Sequence, residues 1–411
     1  MSTNGIRTAS SVKEGLSSLE DRENQFPVNY AYDYLKGTSY LSLPDLNLND
    51  HLRSGKFLRM SSQDDREDIH RSSHAIDIFP IQAGLPWASG IQPCRQSKYW
   101  QLTIDTTRAF LAHLAADESV QRILKSGQSI AEIARKELGT QMDEGWTKFT
   151  AYMFAEGDRQ RTRLLAVVNV FVFVFDDFWE MHGADSFTSV KDVFISRMQP
   201  GFIATGKHTS TFQSMIDQTM LEIREVDAAS GNNVGQEMIE QMVEFFLRPP
   251  PPKEYKNMEE FLLYRHVDAA LPYVLSCAKF SLNCPVDLTS ARLERYIHLV
   301  KDHVSIANDL GSWKKEKQAF DSGKVLYMIN AVDVMNKLVS RHTTQAAVAI
   351  TQALQLHIET EIDAEIERLI SENALTAEEW RFVDGTLRMI SGNVLCSIVM
   401  SRYGGEGFRI G

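Results

Sequence analysis

LLAVVNVFVFVFDDFWE, residues 164–180, is the stretch on which the fold turns. From Leu164 to Phe175 every position except Asn169 is apolar. A surface helix keeps one polar face, so a helix apolar all round is a buried one. The run is also too short to span a bilayer, which takes about 20 residues. It then delivers Asp176, Asp177 and Glu180, with Asp176 and Glu180 one helical turn apart on one face. With GADS (183–186) read as a break, three carboxylates are expected at the C-terminal end of a buried helix. The helix dipole and burial both oppose negative charge there. A hard cation such as Mg²⁺, which prefers oxygen ligands, resolves the conflict. A solvated acidic helix end is the ordinary source of a DDxxE pattern. The apolar run beneath this one argues against that source.

Outward from this segment, helical periodicity holds from about Lys98 to the C-terminus. It is punctuated by GADS, SGNN (230–233) and the prolines at 249–252. β-branched alternation is scarce and no βαβ rhythm appears, so the fold class expected is all-α. Asn257 with Glu260, and Thr376 with Glu379, read as capping boxes opening two helices. Pro272 is expected to kink or end the helix carrying Arg265. Residues 1–75 read as a polar, partly disordered arm and 76–411 as one helical domain.

A second segment, LERYIHLVKDHVSIANDLGSWKKEK (293–317), carries an inward stripe of Leu293, Ile297, Val300 and Val304. Continued by fours, the stripe becomes Asn308, Ser312 and Glu316. An amide, a hydroxyl and a carboxylate thus occupy a face that should stay apolar, spread over about two turns. They form a natural cradle for a second metal ion, with Lys315 beside them suited to phosphate.

The two segments together, DDxxE and NDLxSxxKE separated by 132 residues, resemble the metal-binding signatures of class I terpene synthases, above all the fungal sesquiterpene synthases. Arg265, Asp268 and Ala269, with the break near Pro272, are similar to that family's diphosphate-sensing arginine, linker aspartate and helix-break residue. Arg402-Tyr403, preceded by Gly392-Asn393, resembles its closing Arg-Tyr pair. The resemblance spans roughly residues 95–405. It implies a helical bundle around an apolar cavity and three Mg²⁺ ions. Asp176, Asp177 and Glu180 would hold ions on one side, and Asn308, Ser312 and Glu316 on the other. It also implies that Arg265, Lys315, Arg402 and Tyr403 bind diphosphate, with Asp268, Ala269, Phe173 and Asn393 at the substrate. Phe171, Phe173, Phe175, Phe178 and Trp179 are candidates for aromatic faces toward a carbocation. Two departures stand out: Glu180 replaces an aspartate, and Cys396 falls where the family often has tryptophan.

Bulk properties narrow the partners. A chain of 411 residues with net charge −11 lacks the basic surface that nucleic acid or an anionic membrane attracts. An acidic protein needs local cations to hold an anionic substrate, which again points to divalent metal. The partner expected is a prenyl diphosphate, without nucleic acid or stable membrane insertion, and a homodimer stays open. Cys94, Cys277, Cys284 and Cys396 show no CxxC spacing, so neither zinc nor a disulfide framework is expected. The N-terminus has no secretory apolar core, so a cytoplasmic location is expected. Farnesyl diphosphate is the substrate expected first and geranylgeranyl diphosphate second. A chain-elongating prenyltransferase would carry a second Asp-rich motif where Asn308, Ser312 and Glu316 stand. A class II cyclase would need a DxDD that is absent from the chain. A helical protein that binds prenyl diphosphate without turnover is the non-enzymatic alternative.

Overall fold

In the computed structural model of the chain, the described residues are 42–61, 73–118, 128–139, 142, 145–199, 201–202, 210–339 and 343–404, with the side chains of 183–193 and 404 left aside. Helices dominate, as the periodicity predicts. In chain order they are α1 (Asn47–Arg53), α2 (Lys56–Ser61), α3 (Trp100–Ala116), α4 (Ile130–Leu138) and α5 (Thr147–Met153). Then follow α6 (Arg159–Met198), α7 (Thr211–Ser230), α8 (Val234–Phe246), α9 (Met258–Asp268) and α10 (Leu271–Leu282). The last five are α11 (Glu294–Asp321), α12 (Ala331–Leu338), α13 (Thr344–Ser371), α14 (Ala377–Val399) and α15 (Ser401–Gly404). One antiparallel pair, β1 (Ala75–Ile78) with β2 (Cys94–Ser97), falls outside the helical pattern; four-residue strands are too short to leave a periodic signature.

The helix of the opening motif is the largest correction. α6 runs unbroken for 40 residues, through GADS and on to Met198. The acidic motif therefore sits in mid-helix, and the dipole has no terminus there to oppose it. Burial, with the neighbouring negative charges, strains Asp176 and Glu180 instead. The side chain of Asp158 caps the start of α6, accepting from the Arg161 amide.

Other boundaries follow local chemistry. Thr376 and Glu379 make the full reciprocal capping box. Asn257 accepts from the Glu260 amide, but Glu260 reaches back one residue further, to the Lys256 amide. Gly231, at φ 69°, ends α7. The break between α9 and α10 is sharper. Ala270 adopts φ 56°, a left-handed conformation uncommon outside glycine, and Pro272 sits in the first turn of α10. Strained backbone of this kind tends to mark functional positions.

Part of the stretch read as an arm packs on the bundle. Leu46, Leu48, Leu52 and Phe57 are buried in the common core, and Phe57 stacks on Trp380 at 5.3 Å. Residues 1–41 and 62–72 of that stretch lie outside the described residues. Segment 88–92 is pinned by buried Glu359, which accepts from the Ser89 hydroxyl, the Gly90 amide and His303 Nε2 at 2.6–2.9 Å.

α14 is long and apolar enough to cross a membrane, yet almost all of it is buried as the central helix of the bundle. Two close approaches set its neighbours. A Cβ on Gly311 of α11 would stand 2.6 Å from Ser397 Cβ, and one on Gly392 would collide with the Tyr152 carbonyl of α5. Because the second obstacle is backbone, Gly392→Ala is expected to cost about 1–3 kcal/mol by forcing α14 and α5 apart. A lowered thermal midpoint with intact helical dichroism is the expected result; an unchanged midpoint would mean that the two helices yield freely.

Candidate active site

α6, the α9–α10 break, α11 and α15 enclose a cavity of about 1120 Å³, counting its open mouth. Along α6 the lining runs from Asn169 through Val172 and Phe173 to Asp176, Trp179 and Glu180, a rise of roughly 16 Å. Opposite stand Asn308, Lys315 and Glu316 of α11. Arg265, Asp268, Ala269 and Ala270 enter from the helix break, and Arg402 with Tyr403 from α15. The two oxygen-bearing helix faces therefore meet across one space. Phe149, Tyr273, Val274 and Ile329 complete much of its apolar wall.

Around this space, charge is paired residue by residue. Arg402 Nη1 donates to Asp177 Oδ1 at 2.6 Å and Nη2 to Asp176 Oδ2 at 3.5 Å. Its neighbour Tyr403 accepts from Asn308 Nδ2 at 2.9 Å, so one dipeptide touches both motifs. Arg265 donates to Asp309 Oδ1 through Nε (2.9 Å) and Nη2 (2.7 Å), to Asn308 Oδ1 at 3.2 Å, and to Asp268. Ser312 Oγ donates to the Asn308 carbonyl at 2.9 Å.

The carboxylates remain under stress. Burial, then the charges of Asp176 and Asp177, pushes Glu180 up to about 8 against the pull of Lys315 and Arg402. Burial likewise raises Asp176 despite Arg248 and Arg402. It also pushes Asp309 up to about 7, against the pull of Arg265 and with Glu316 adding to the rise. Six carboxylates (Asp176, Asp177, Glu180, Asp268, Asp309, Glu316) meet four cationic side chains (Arg248, Arg265, Lys315, Arg402). Fully ionised, the site would carry surplus negative charge. Its donors are hard oxygens, and an added divalent cation would relieve the surplus. Among the described residues, no three His, Cys, Asp or Glu side chains are grouped to hold a metal unaided. Asn308 and Ser312, which are neither, would complete one ligand set, and water and phosphate oxygens the rest.

Most residues singled out in the sequence converge here, with exceptions. Asp177 and Ser312 sit one contact behind the lining, through Arg402 and Asn308. Asn393 lies off the cavity, its amide donating to the Val304 carbonyl at 3.1 Å and bracing α14 to α11. Of the aromatic candidates, Phe173 and Trp179 line the space. Phe171 and Phe175 turn instead into a cluster with Phe246, and Phe178 stacks on His182.

Three contributors escaped the sequence reading. Arg248, at the end of α8, is buried, with its guanidinium 4.0 Å from the Trp179 ring centroid and 4.1 Å from that of Phe245. It donates to Asp176 Oδ1 at 2.6 Å and to Asp268 Oδ1 at 3.3 Å. An arginine closing an amphipathic helix just before four prolines was its one signal. Asp309 hid beside Asn308, off the inward stripe. Asn330 caps α12 and donates to Glu316 Oε2 at 2.9 Å and to the Asp309 carbonyl at 2.8 Å.

An all-helical bundle with two oxygen-rich helix faces over an apolar cavity is the class I terpenoid synthase architecture, and the chain is similar to fungal terpene cyclases. Residues 168–360, which contain both acidic motifs and Arg265, match the family model "Terpene synthase family 2, C-terminal metal binding". Terpene cyclase 6 of Gibberella fujikuroi is 24% identical over 333 residues, covering 80% of this chain and 85% of that protein. Terpene cyclase aneC of Aspergillus aculeatus is 21% identical over 353 residues, covering 83% and 76%. Among solved structures, aristolochene synthase from Penicillium roqueforti superposes with a TM-score of 0.55 at 15% identity, over 71% of this chain and 93% of that one.

Arg248 gives a direct test of the electrostatics. Arg248→Ala strips a partner from buried Asp176 and Asp268 at once and is expected to cost about 3–5 kcal/mol in metal-free protein. Arg248→Lys should recover only part of this, because an ammonium cannot fork between two carboxylates while stacking on an indole. Urea denaturation without divalent ions measures both; full rescue by lysine would show that the guanidinium geometry is immaterial.

Proposed function

We propose that the protein is a Mg²⁺-dependent terpene cyclase that ionises a prenyl diphosphate, farnesyl diphosphate first, and closes the carbocation into a cyclic hydrocarbon or alcohol with release of diphosphate. The observation that carries this is the surplus of part-buried oxygen ligands facing an apolar, aromatic-lined space. Resemblance to the fungal sesquiterpene synthases and the length of the single helical domain favour the C15 substrate; geranylgeranyl diphosphate is the runner-up.

Asp176, Asp177 and Glu180 on α6, and Asn308, Ser312 and Glu316 on α11, would hold the metal ions, three by family likeness. Bound Mg²⁺ would neutralise the charge that grows on the diphosphate as the C–O bond breaks. The chain's own groups do the rest. With Asp176 and Asp177 given to metal, Arg402 would be free to donate to phosphate with Arg265, Lys315 and the Tyr403 hydroxyl. Arg402 also lies 5.2 Å from the Phe173 ring centroid and so spans the charged layer and the aromatic one. Phe149, Phe173 and Trp179 present π faces that stabilise a cation without attacking it. Engagement of α15 and Lys315 by diphosphate would narrow the mouth and exclude the water that quenches such a cation.

Side-by-side incubation with C10, C15 and C20 diphosphates, with and without Mg²⁺, tests the proposal by mass spectrometry of extracted volatiles and by diphosphate release. Cyclic product from the C15 substrate is expected only with metal. Absence of Mg²⁺-dependent release from all three would leave the protein a binder. Lys315→Ala and Asn308→Ala are expected to lower turnover by roughly 100-fold while the helical fold persists. Wild-type rates in either variant would remove that residue from the site.

A further inference from the structure

Asn169 is the one polar side chain in the apolar run of α6, and the diphosphate chemistry leaves it without a role. It is 2% exposed and lines the cavity seven residues before Asp176, roughly 10 Å further along the helix. An amide in an apolar wall is costly unless bonded. Here Nδ2 donates to Thr150 Oγ1 at 3.0 Å, and Oδ1 accepts from the Tyr273 hydroxyl at 2.9 Å. Tyr273 lines the cavity too, just beyond the strained Ala270 break, whereas Thr150 lies behind the wall. The tyrosine proton is thereby committed to the amide. Cys277, one turn further on, is the hydroxyl's other neighbour, and its sulfur, a weak acceptor, competes poorly with the amide oxygen for that proton. The bonded pair is therefore a polar element in a wall that also includes Val172, Phe173, Phe149 and Val274.

We propose that the Asn169–Tyr273 pair is a specificity determinant: a fixed dipole at the hydrocarbon end of the cavity that selects which carbon of the folded chain bears positive charge before the reaction terminates. This rests on the cyclase reading above. A substrate anchored by its diphosphate beside Asp176 extends its hydrocarbon along α6 toward Asn169. In an enclosure of low dielectric, the oriented oxygen lowers the energy of nearby positive charge with no reorganisation at the moment of reaction. No bond to the protein forms or breaks. The competing explanation is a staple joining α5, α6 and α10 through Thr150, Asn169 and Tyr273, which predicts that cutting the network anywhere has the same effect.

The two are separated by product profiles, recorded with Mg²⁺ and farnesyl or geranylgeranyl diphosphate and normalised to diphosphate released. Tyr273→Phe, which keeps the ring, and Asn169→Leu are each expected to lower the share of the wild-type major product about fivefold, the worth of one net hydrogen bond. Thr150→Val cuts the network behind the wall and is expected to lower the melting point with product proportions unchanged. Should Asn169→Leu fail to fold, Tyr273→Phe carries the test alone. Wild-type profiles in the folded Asn169 and Tyr273 variants, or an equal shift in Thr150→Val, would overturn the inference. Failure of the wild-type protein to release diphosphate would instead remove the cyclase reading beneath it.

Discussion

A closed ring of ion pairs and hydrogen bonds ties the charged side chains of the cavity together, and their placing depends on it. Asp176 is held by Arg248, Arg248 by Asp268, and Asp268 by Arg265. Arg265 reaches Asn308, Asn308 reaches Tyr403, and the adjoining Arg402 returns to Asp176 and Asp177. Its members come from five parts of the bundle, so the ring holds α6, the end of α8, α9, α11 and α15 in mutual register. Buried ion pairs of this kind rarely add net stability, because desolvating the ions offsets the attraction between them. What the ring contributes is position. A half-satisfied buried network costs more than none, so the bundle is constrained to the packing in which every member finds a partner.

That constraint also explains why the site awaits added charge. Arginines cover the acids but do not outnumber them, and burial still lifts Glu180 and Asp309 far above the ordinary carboxylate range. A divalent cation arriving with a diphosphate would bring donor and acceptor together. Asp176, Asp177 and Glu180 would hold such a cation, and Arg402, released from them, would be free to donate to phosphate oxygens. The local sign reversal that an acidic protein needs for an anionic substrate is thus an exchange of partners within a ring already in place.

The fold was legible in the sequence wherever periodicity and burial agree. The apolar run before Asp176 and the stripe leading to Asn308 are long enough for side-chain placement to follow from helix geometry alone, and both point where expected. Pro272 correctly marked the break, since its missing amide and fixed φ act locally. Legibility failed where tertiary contact decides. GADS has the composition of a turn, yet α6 passes through it. Asn393 sits beside a family-like motif, but α14 rotates it toward α11 instead of the cavity. Arg248 and Asp309 are partners chosen by packing, and no spacing along the chain brings Asp176 to residue 248 or Arg265 to residue 309. Local pattern identifies groups that need a partner; only the packed bundle says which partner each receives.

The same distinction separates the two ends of the cavity. At the charged end, pairing is dense and redundant: Arg265 alone serves three acceptor residues, and Asp176 is met by two arginines. Chemistry there depends on total charge, and small shifts of one side chain are absorbed by its neighbours. At the hydrocarbon end the wall offers a single oriented pair, Asn169 with Tyr273, in otherwise apolar surroundings. On the reading proposed above, its dipole would act on whichever carbon the wall brings close. Ionisation would therefore tolerate change in the surrounding scaffold better than product identity does.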